Sequence, residues 1–178
     1  LGPFYIVCIV VLLMLATYEL SMANTSCHTT LSSGSGANFM KICISNHGNP
    51  VQFESPKNFE HIRLGSIGEG YVVCSNLTSV VHGYDAGFAE SGFGPPTINQ
   101  PNGSNTLPLT ITRDTTDGVF RLKQTFSRDS NEKDVTITMT LTNISSSNRS
   151  DVILDRYFDG DIDNDFSDDI YDGGSDSV

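Results

Sequence analysis

The sequence predicts an all-β fold, an antiparallel β-sandwich. Three observations carry this expectation. Short apolar runs alternate with Gly-, Pro- and Asn-rich turn clusters along most of the chain. The segment Val135-Thr-Ile-Thr-Met-Thr-Leu-Thr-Asn143 alternates apolar and hydroxyl side chains, which is the two-residue period of a strand with one buried and one wet face. No window shows a convincing 3.6-residue apolar period.

From the N-terminus, residues 4–15 are uninterruptedly apolar. The run is short of the ~20 residues of a membrane span and fits the core of a signal peptide. Ser21-Met22-Ala23 follows, with small residues at −3 and −1 of a cleavage site after Ala23. Residues 1–23 therefore read as a signal peptide, and secretion or extracytoplasmic location follows; an uncleaved anchor is the alternative, which Glu19 at the end of the run disfavours. Residues 24–37 are rich in Ser, Thr, Gly and Asn and read as a flexible leader. Residues 38–178 then form the sandwich domain. The chain stops at Val178, just past an acidic stretch with no closing element, so the domain is expected to continue beyond it.

Within 38–178 the candidate strands are Phe39–Ser45, Val51–Ser55, Phe59–Arg63, Gly70–Ser75, Ser79–Tyr84, Leu107–Arg113, Gly118–Arg128, Lys133–Ile144 and Val152–Phe158. The turn clusters between them are Asn46-His-Gly-Asn-Pro50, Gly65–Gly68 and a long Gly/Pro/Asn stretch from Gly87 to Asn105. Phe120, Leu122 and Phe126 form an inward stripe like that of Val135–Leu141, and the polar segment Ser127–Lys133 joins the two strands as a hairpin.

The charge is lopsided. The chain carries −11 overall, and residues 151–178 hold ten Asp against one Arg. No basic patch exists, so nucleic acid and anionic membrane surfaces are not expected as partners. Most of these aspartates fall in Asp159-Gly-Asp161-Ile-Asp163-Asn-Asp165-Phe-Ser-Asp168-Asp169-Ile-Tyr-Asp172. Two carboxylates ~7 Å apart repel by roughly 2–3 kcal/mol at an effective dielectric of ~20. Such a segment stays solvated or binds a hard cation, for which Ca²⁺ is the natural choice. The expected metal ligands are Asp159, Asp161, Asp163 and Asp165, with Asp168 and Asp169. An EF-hand does not fit, because its position 6 is Asn164 and its position 12 is Ile170. The carboxylates could also serve a glycosidase, but acids so close in sequence rarely face each other across a substrate.

Cys27, Cys43 and Cys74 follow the cleavage site, an odd number. Cys43 and Cys74 both fall in strand-like runs, so a Cys43–Cys74 bridge is one expectation, and two small buried hydrophobes the other. The stretch His82-Gly-Tyr-Asp85-Ala-Gly-Phe-Ala-Glu90 sets a histidine near two acids, as a site wall or as a plain strand end. Tyr71, Tyr84, Phe88 and Phe93 could stack on sugar rings or fill the core. No Gly-x-Ser-x-Gly elbow and no phosphate loop occurs. The chemistry points to ion binding rather than to a reaction.

The stretch from Gly118 through Asn143-Ile-Ser145, with Arg156-Tyr-Phe-Asp-Gly-Asp-Ile-Asp163, resembles a group of uncharacterised secreted bacterial β-sandwich proteins. It is similar, more loosely, to supersandwich domains of the galactose-mutarotase-like kind, over roughly residues 107–165. The resemblance implies a β-sandwich associated with carbohydrate. The catalytic His and Glu of mutarotases have no matching positions here, so that activity is not implied. The sequence thus reads as a secreted, calcium-stabilised binding or structural module whose partner is a carbohydrate or another extracellular protein. The alternative is the non-catalytic part of a carbohydrate-active enzyme.

Overall fold

The computed structural model describes residues 27–62, 69–76, 81–84, 90–128, 134–158 and 160. These residues are mostly β. Ten strands run in order: β1 (Thr29–Ser33), β2 (Met40–Ile44), β3 (Pro50–Glu54), β4 (Glu69–Cys74), β5 (Val81–Tyr84), β6 (Thr97–Asn99), β7 (Leu109–Asp114), β8 (Phe120–Ser127), β9 (Thr136–Asn143) and β10 (Ile153–Phe158). One 3₁₀ turn, Gly36–Asn38, interrupts them, and no α-helix occurs among the described residues. No described helix is long and apolar enough to cross a membrane.

The strands make three antiparallel sheets, ordered β1-β2-β3, β10-β4-β5 and β6-β7-β8-β9. The four-stranded sheet is the floor. Its inward residues alternate, as in β7 with Leu109, Ile111 and Arg113 and in β8 with Phe120, Leu122, Gln124 and Phe126. The two smaller sheets cover it side by side. The β1-β2-β3 sheet sets Ile42 and Ile44 against Leu109, Ile111 and Phe126. The β10-β4-β5 sheet sets Tyr71, Val73 and Val81 against Phe93, Phe120 and Leu122. The result is a two-layer sandwich with two apolar cores.

Four expectations change. The Ser/Thr-rich leader contains β1, which pairs with β2 from Thr29↔Ile44 to Ser33↔Met40. Thr29 is buried there and Leu31 packs against the core, so tertiary pairing overrides a linker-like composition. The disulfide joins Cys27 to Cys43, not Cys43 to Cys74. Cys27 lies two residues before β1, whose pairing with β2 brings the two Cα atoms to 5.4 Å, within bridging reach. Cys74 stands in β4, under the other half of the sandwich, as a buried thiol. Of the Phe59–Arg63 run, the described residues 59–62 make a single bridge, Glu54↔Glu60, and no strand. The stretch Gly87–Asn105, expected to be loop, carries the short strand β6 at Thr97–Asn99, paired to β7.

Candidate functional site

Between the two cores runs a line of buried polar groups. It starts at the turn joining β2 to β3, Ser45–Asn49. Ser45 N–H donates to the Asn49 carbonyl at 2.8 Å, and Ser45 Oγ accepts from His47 and Asn49 N–H at 3.2 Å each. Gly48 has φ +88°, and a Cβ there would lie 2.3 Å from Gln124 Nε2. Only glycine meets both demands. Asn49 Nδ2 donates to the carbonyls of Glu69 and Gly83, 3.1 Å each, which fastens the turn of one small sheet to the strands of the other.

Two ion-pair groups converge on this turn. In the first, Glu90 accepts from Arg113 Nη2, and its other oxygen lies 2.8 Å from His47 Nδ1. Arg113 is only 2% exposed. It donates from Nη1 to Tyr71 Oη at 3.0 Å and from Nε to the Gly94 carbonyl at 3.0 Å, and it sits 5.0 Å over the Phe93 ring. Tyr71 in turn donates to the His47 carbonyl at 2.8 Å. In the second, Arg156 of β10 pairs with the buried Glu69 of β4. Its Nη1 donates to Gln124 Oε1 at 2.8 Å and its Nη2 to the Gly48 carbonyl at 3.1 Å. Gln124 Nε2 completes the circuit on the His47 carbonyl at 3.1 Å.

The electrostatics follow from this wiring. Burial alone pulls the Glu90 carboxyl up, but hydrogen bonds from His47 and Arg113 outweigh it and hold the group below its ordinary value. Burial likewise pulls Arg113 down, and the Glu90 bond and charge overcome this to leave it more firmly protonated. Tyr71 is pushed up to about 12, first by burial and against the pull of Arg113. His82, buried on β5, is lowered by burial. Chemically the junction is a clasp: each of its carboxylates meets a cation, and each of its cations also binds a backbone carbonyl or an aromatic neighbour.

Beside the clasp opens a groove of about 480 Å³. Its apolar lining comes from Ile42, Pro50, Phe53, Ile62, Val135, Ile137 and Phe158. Glu69, Arg156 and Asp134 supply the polar atoms. Phe158 is 54% exposed.

The expected metal ligands Asp159, Asp161, Asp163, Asp165, Asp168 and Asp169 lie outside the described residues. Among the described residues no three His, Cys, Asp or Glu side chains gather as a metal site. The aspartates follow directly from Phe158, the last residue of β10. Of the histidine stretch, Glu90 turns to Arg113 and His47. Asp85 and the side chain of Tyr84 lie outside the described residues, as does Phe88. Tyr71 and Phe93 are core, ring edge to face at 5.2 Å, and not sugar platforms.

The residues that sequence reasoning passed over are His47, Glu69, Arg113, Gln124 and Arg156. Three of them left a signal. Arg113 follows Leu109 and Ile111 at the same spacing, Gln124 interrupts Phe120–Leu122–Phe126, and Arg156 falls between Leu154 and Phe158. A polar residue at the inward position of an alternating strand must find buried partners.

No family model, curated protein or solved structure matches the chain.

Proposed function

We propose that this chain is a secreted extracellular binding module, stabilised by calcium through Asp159, Asp161, Asp163, Asp165, Asp168 and Asp169, whose ligand seats in the groove between β3, β9 and β10. The groove is the observation that carries the reading. It is a concavity of about 480 Å³ with apolar walls and a few placed polar groups, Asp134 and the Glu69–Arg156 pair, the usual make-up of a binding site. Its chemistry suits an extended segment of another extracellular protein carrying apolar side chains. The Cys27–Cys43 bridge supports the extracellular part, since disulfides persist in oxidising compartments.

Two measurements test it. Peptides selected from a displayed library on the exported protein should lose at least tenfold affinity on Phe53→Ala, about the 1.4 kcal/mol expected of one buried aromatic contact. Binders indifferent to Phe53 would remove the groove. For the ion, calcium at 100 times its dissociation constant should add about 2.7 kcal/mol of stability. A chelator should reverse this, and Asp161→Asn with Asp163→Asn should abolish it. A melt indifferent to calcium would leave a solvated acidic segment.

A second reading rests on the two phenyl rings, Phe53 and Phe158, that share the groove with Asp134. Such a set suits a sugar ring, as in the non-catalytic part of a carbohydrate-active enzyme. Binding on a glycan array that falls with Phe53→Ala would favour it over the peptide.

A further inference from the structure

We infer that β9 is a self-association edge, and that two copies of this chain pair β9 against β9 in antiparallel fashion to continue the four-stranded sheet across a two-fold axis at Met139. The inference goes beyond the groove reading and does not rest on it.

The first ground is the edge itself. Among the described residues β9 is paired on one side only, to β8. Natural edges are blunted by shortness, charge, proline or bulges. Of the other outer strands, β6 has three residues and β5 four, β3 opens on Pro50, and β10 carries Asp155 and Arg156; β1 has five residues without charge or proline, but its Thr30 N–H is already taken by Asn105 Oδ1 at 3.0 Å. β9 has eight residues without a charge or a proline, in unbroken register from Phe120↔Asn143 to Ser127↔Thr136.

The second ground is self-complementarity. Around Met139 the strand reads the same in both directions by chemistry: Thr138 and Thr140, Ile137 and Leu141, Thr136 and Thr142. Antiparallel pairing about that residue sets every Thr opposite a Thr and every apolar side chain opposite an apolar one. Threonine and β-branched cross-strand pairs of this kind stabilise sheets. An isologous interface demands such a pattern.

The third ground is hydrogen-bond phase. Ile144 N–H donates to the Val119 carbonyl at 2.9 Å. In an antiparallel pair such residues alternate, so the even-numbered residues of β9 face β8. Ile137, Met139 and Leu141 then point their N–H and C=O groups outward. A two-fold at Met139 pairs Met139 with itself and Ile137 with Leu141, and these are the residues whose backbone groups are turned to the open edge. The side-chain pattern and the backbone phase select the same axis.

The fourth ground is what the edge leaves uncovered. Ile137, Met139 and Leu141 are half-buried on the inward face. Ile144 and Val152, flanking β9 and β10, are 38% and 43% exposed. The strand is about 27 Å long at 3.4 Å per residue, and two layers about 10 Å apart with their side chains are about 20 Å thick. Pairing therefore covers about 500 Å² on each copy, or about 1,000 Å² in all, the lower bound of a specific interface. The outer face of β9 is uncharged, with Arg121 and Lys123 on the neighbouring strand, so pairing β9 with itself sets no like charges directly opposite each other.

Sedimentation velocity on the exported protein, from micromolar to submillimolar concentration, tests the pairing. The expected result is a concentration-dependent dimer. Thr138 of one copy faces Thr140 of the other. Changing both to Lys, or both to Glu, should weaken the dimer about tenfold or more, and mixing the two variants should restore it. These positions are exposed, so each variant should stay folded, with the Lys variant melting lower than the Glu variant because Thr140 lies opposite Lys123. Hydrogen exchange gives an arm without substitutions: the amides of Ile137, Met139 and Leu141 should gain protection as concentration rises, while those of Thr138 and Thr140 stay protected throughout. A protein monomeric across the range, a dimer indifferent to both variants, or an edge that takes up only peptides of other proteins would overturn the inference.

Discussion

Strands β8 and β9 lie side by side in register over eight pairs and carry the same alternation, yet their inward faces are buried to different depths. Phe120, Leu122, Gln124 and Phe126 of β8 are buried, whereas Ile137, Met139 and Leu141 of β9 are only half-buried. Side-chain character does not explain this, because Leu122 stands opposite Leu141 in register and Phe126 opposite Ile137. Lateral position does. β8 has a strand on each side and β9, among the described residues, on one. An inward row is screened by the rows beside it, and an edge lacks one of them. Period thus decides which face a residue takes, and neighbours decide how deep it goes.

The sharpest way to test that difference uses one register pair. Leu122→Ala should cost about 3–5 kcal/mol, the usual range for truncating a fully buried leucine. Leu141→Ala, in the same core, should cost about 1–2 kcal/mol, because less apolar surface is lost and water already reaches the site. Denaturant melts at low protein concentration would compare them. Equal losses would break the distinction between centre and edge. A gap that narrows at high concentration would show β9 being covered as copies pair.

The second test concerns the polar break in β8's stripe. Gln124 shares the His47 carbonyl with Tyr71, so the clasp should feel the ionisation of Tyr71. That phenol is pushed up to about 12 in the folded chain, against about 10 unfolded. Between these values the unfolded chain has lost the proton and the folded one keeps it. Stability is therefore intact below pH 10 and falls as pH rises to 12, by about 2–3 kcal/mol. Tyr71→Phe should flatten the alkaline limb of the stability curve. On the acid side the signs reverse: Glu90 and His82 are both lowered, so their contributions fade as pH falls below their unfolded values.

These cases mark what was legible in the sequence. The faces of β8 and β9 were, because alternation in Val135–Leu141 and Phe120–Phe126 encodes side-chain direction and little else. The depth of each face was not, since it depends on which strands lie alongside. β1 was not legible either: Thr29–Ser33 has a linker's composition and owes its order to β2 and the Cys27–Cys43 bridge. The bridge itself required knowing that β1 neighbours β2 while Cys74 lies under the other half. In the clasp, Arg113, Gln124 and Arg156 announced themselves as polar intrusions in apolar stripes. Their meeting point did not, because Gln124 reaches a carbonyl 77 residues away and that carbonyl belongs to a turn that reads from sequence as ordinary loop chemistry.

The smallest expected effect separates the two faces of β9. Thr138 is exposed and lies opposite Thr125. In Thr138→Asp the new carboxylate stays in water, with Lys123 on the adjacent strand as a diagonal neighbour of opposite charge. The loss should be about 0.5 kcal/mol, mostly strand propensity. One residue on, Met139→Asp turns its carboxylate to the inward face. An unpaired buried charge there would cost several kcal/mol. Arg156, however, already sets Nη1 3.4 Å from Met139 Sδ, so a cation waits beside the new group and the loss should be about 2 kcal/mol. The two substitutions, measured in one denaturant series, should therefore differ by about 1–2 kcal/mol. If they cost the same, the inward and outward assignments of β9 are wrong. The role given to Arg156 has its own check: in an Arg156→Gln background the cost of Met139→Asp should rise while that of Thr138→Asp stays put, because only the inward carboxylate loses its partner.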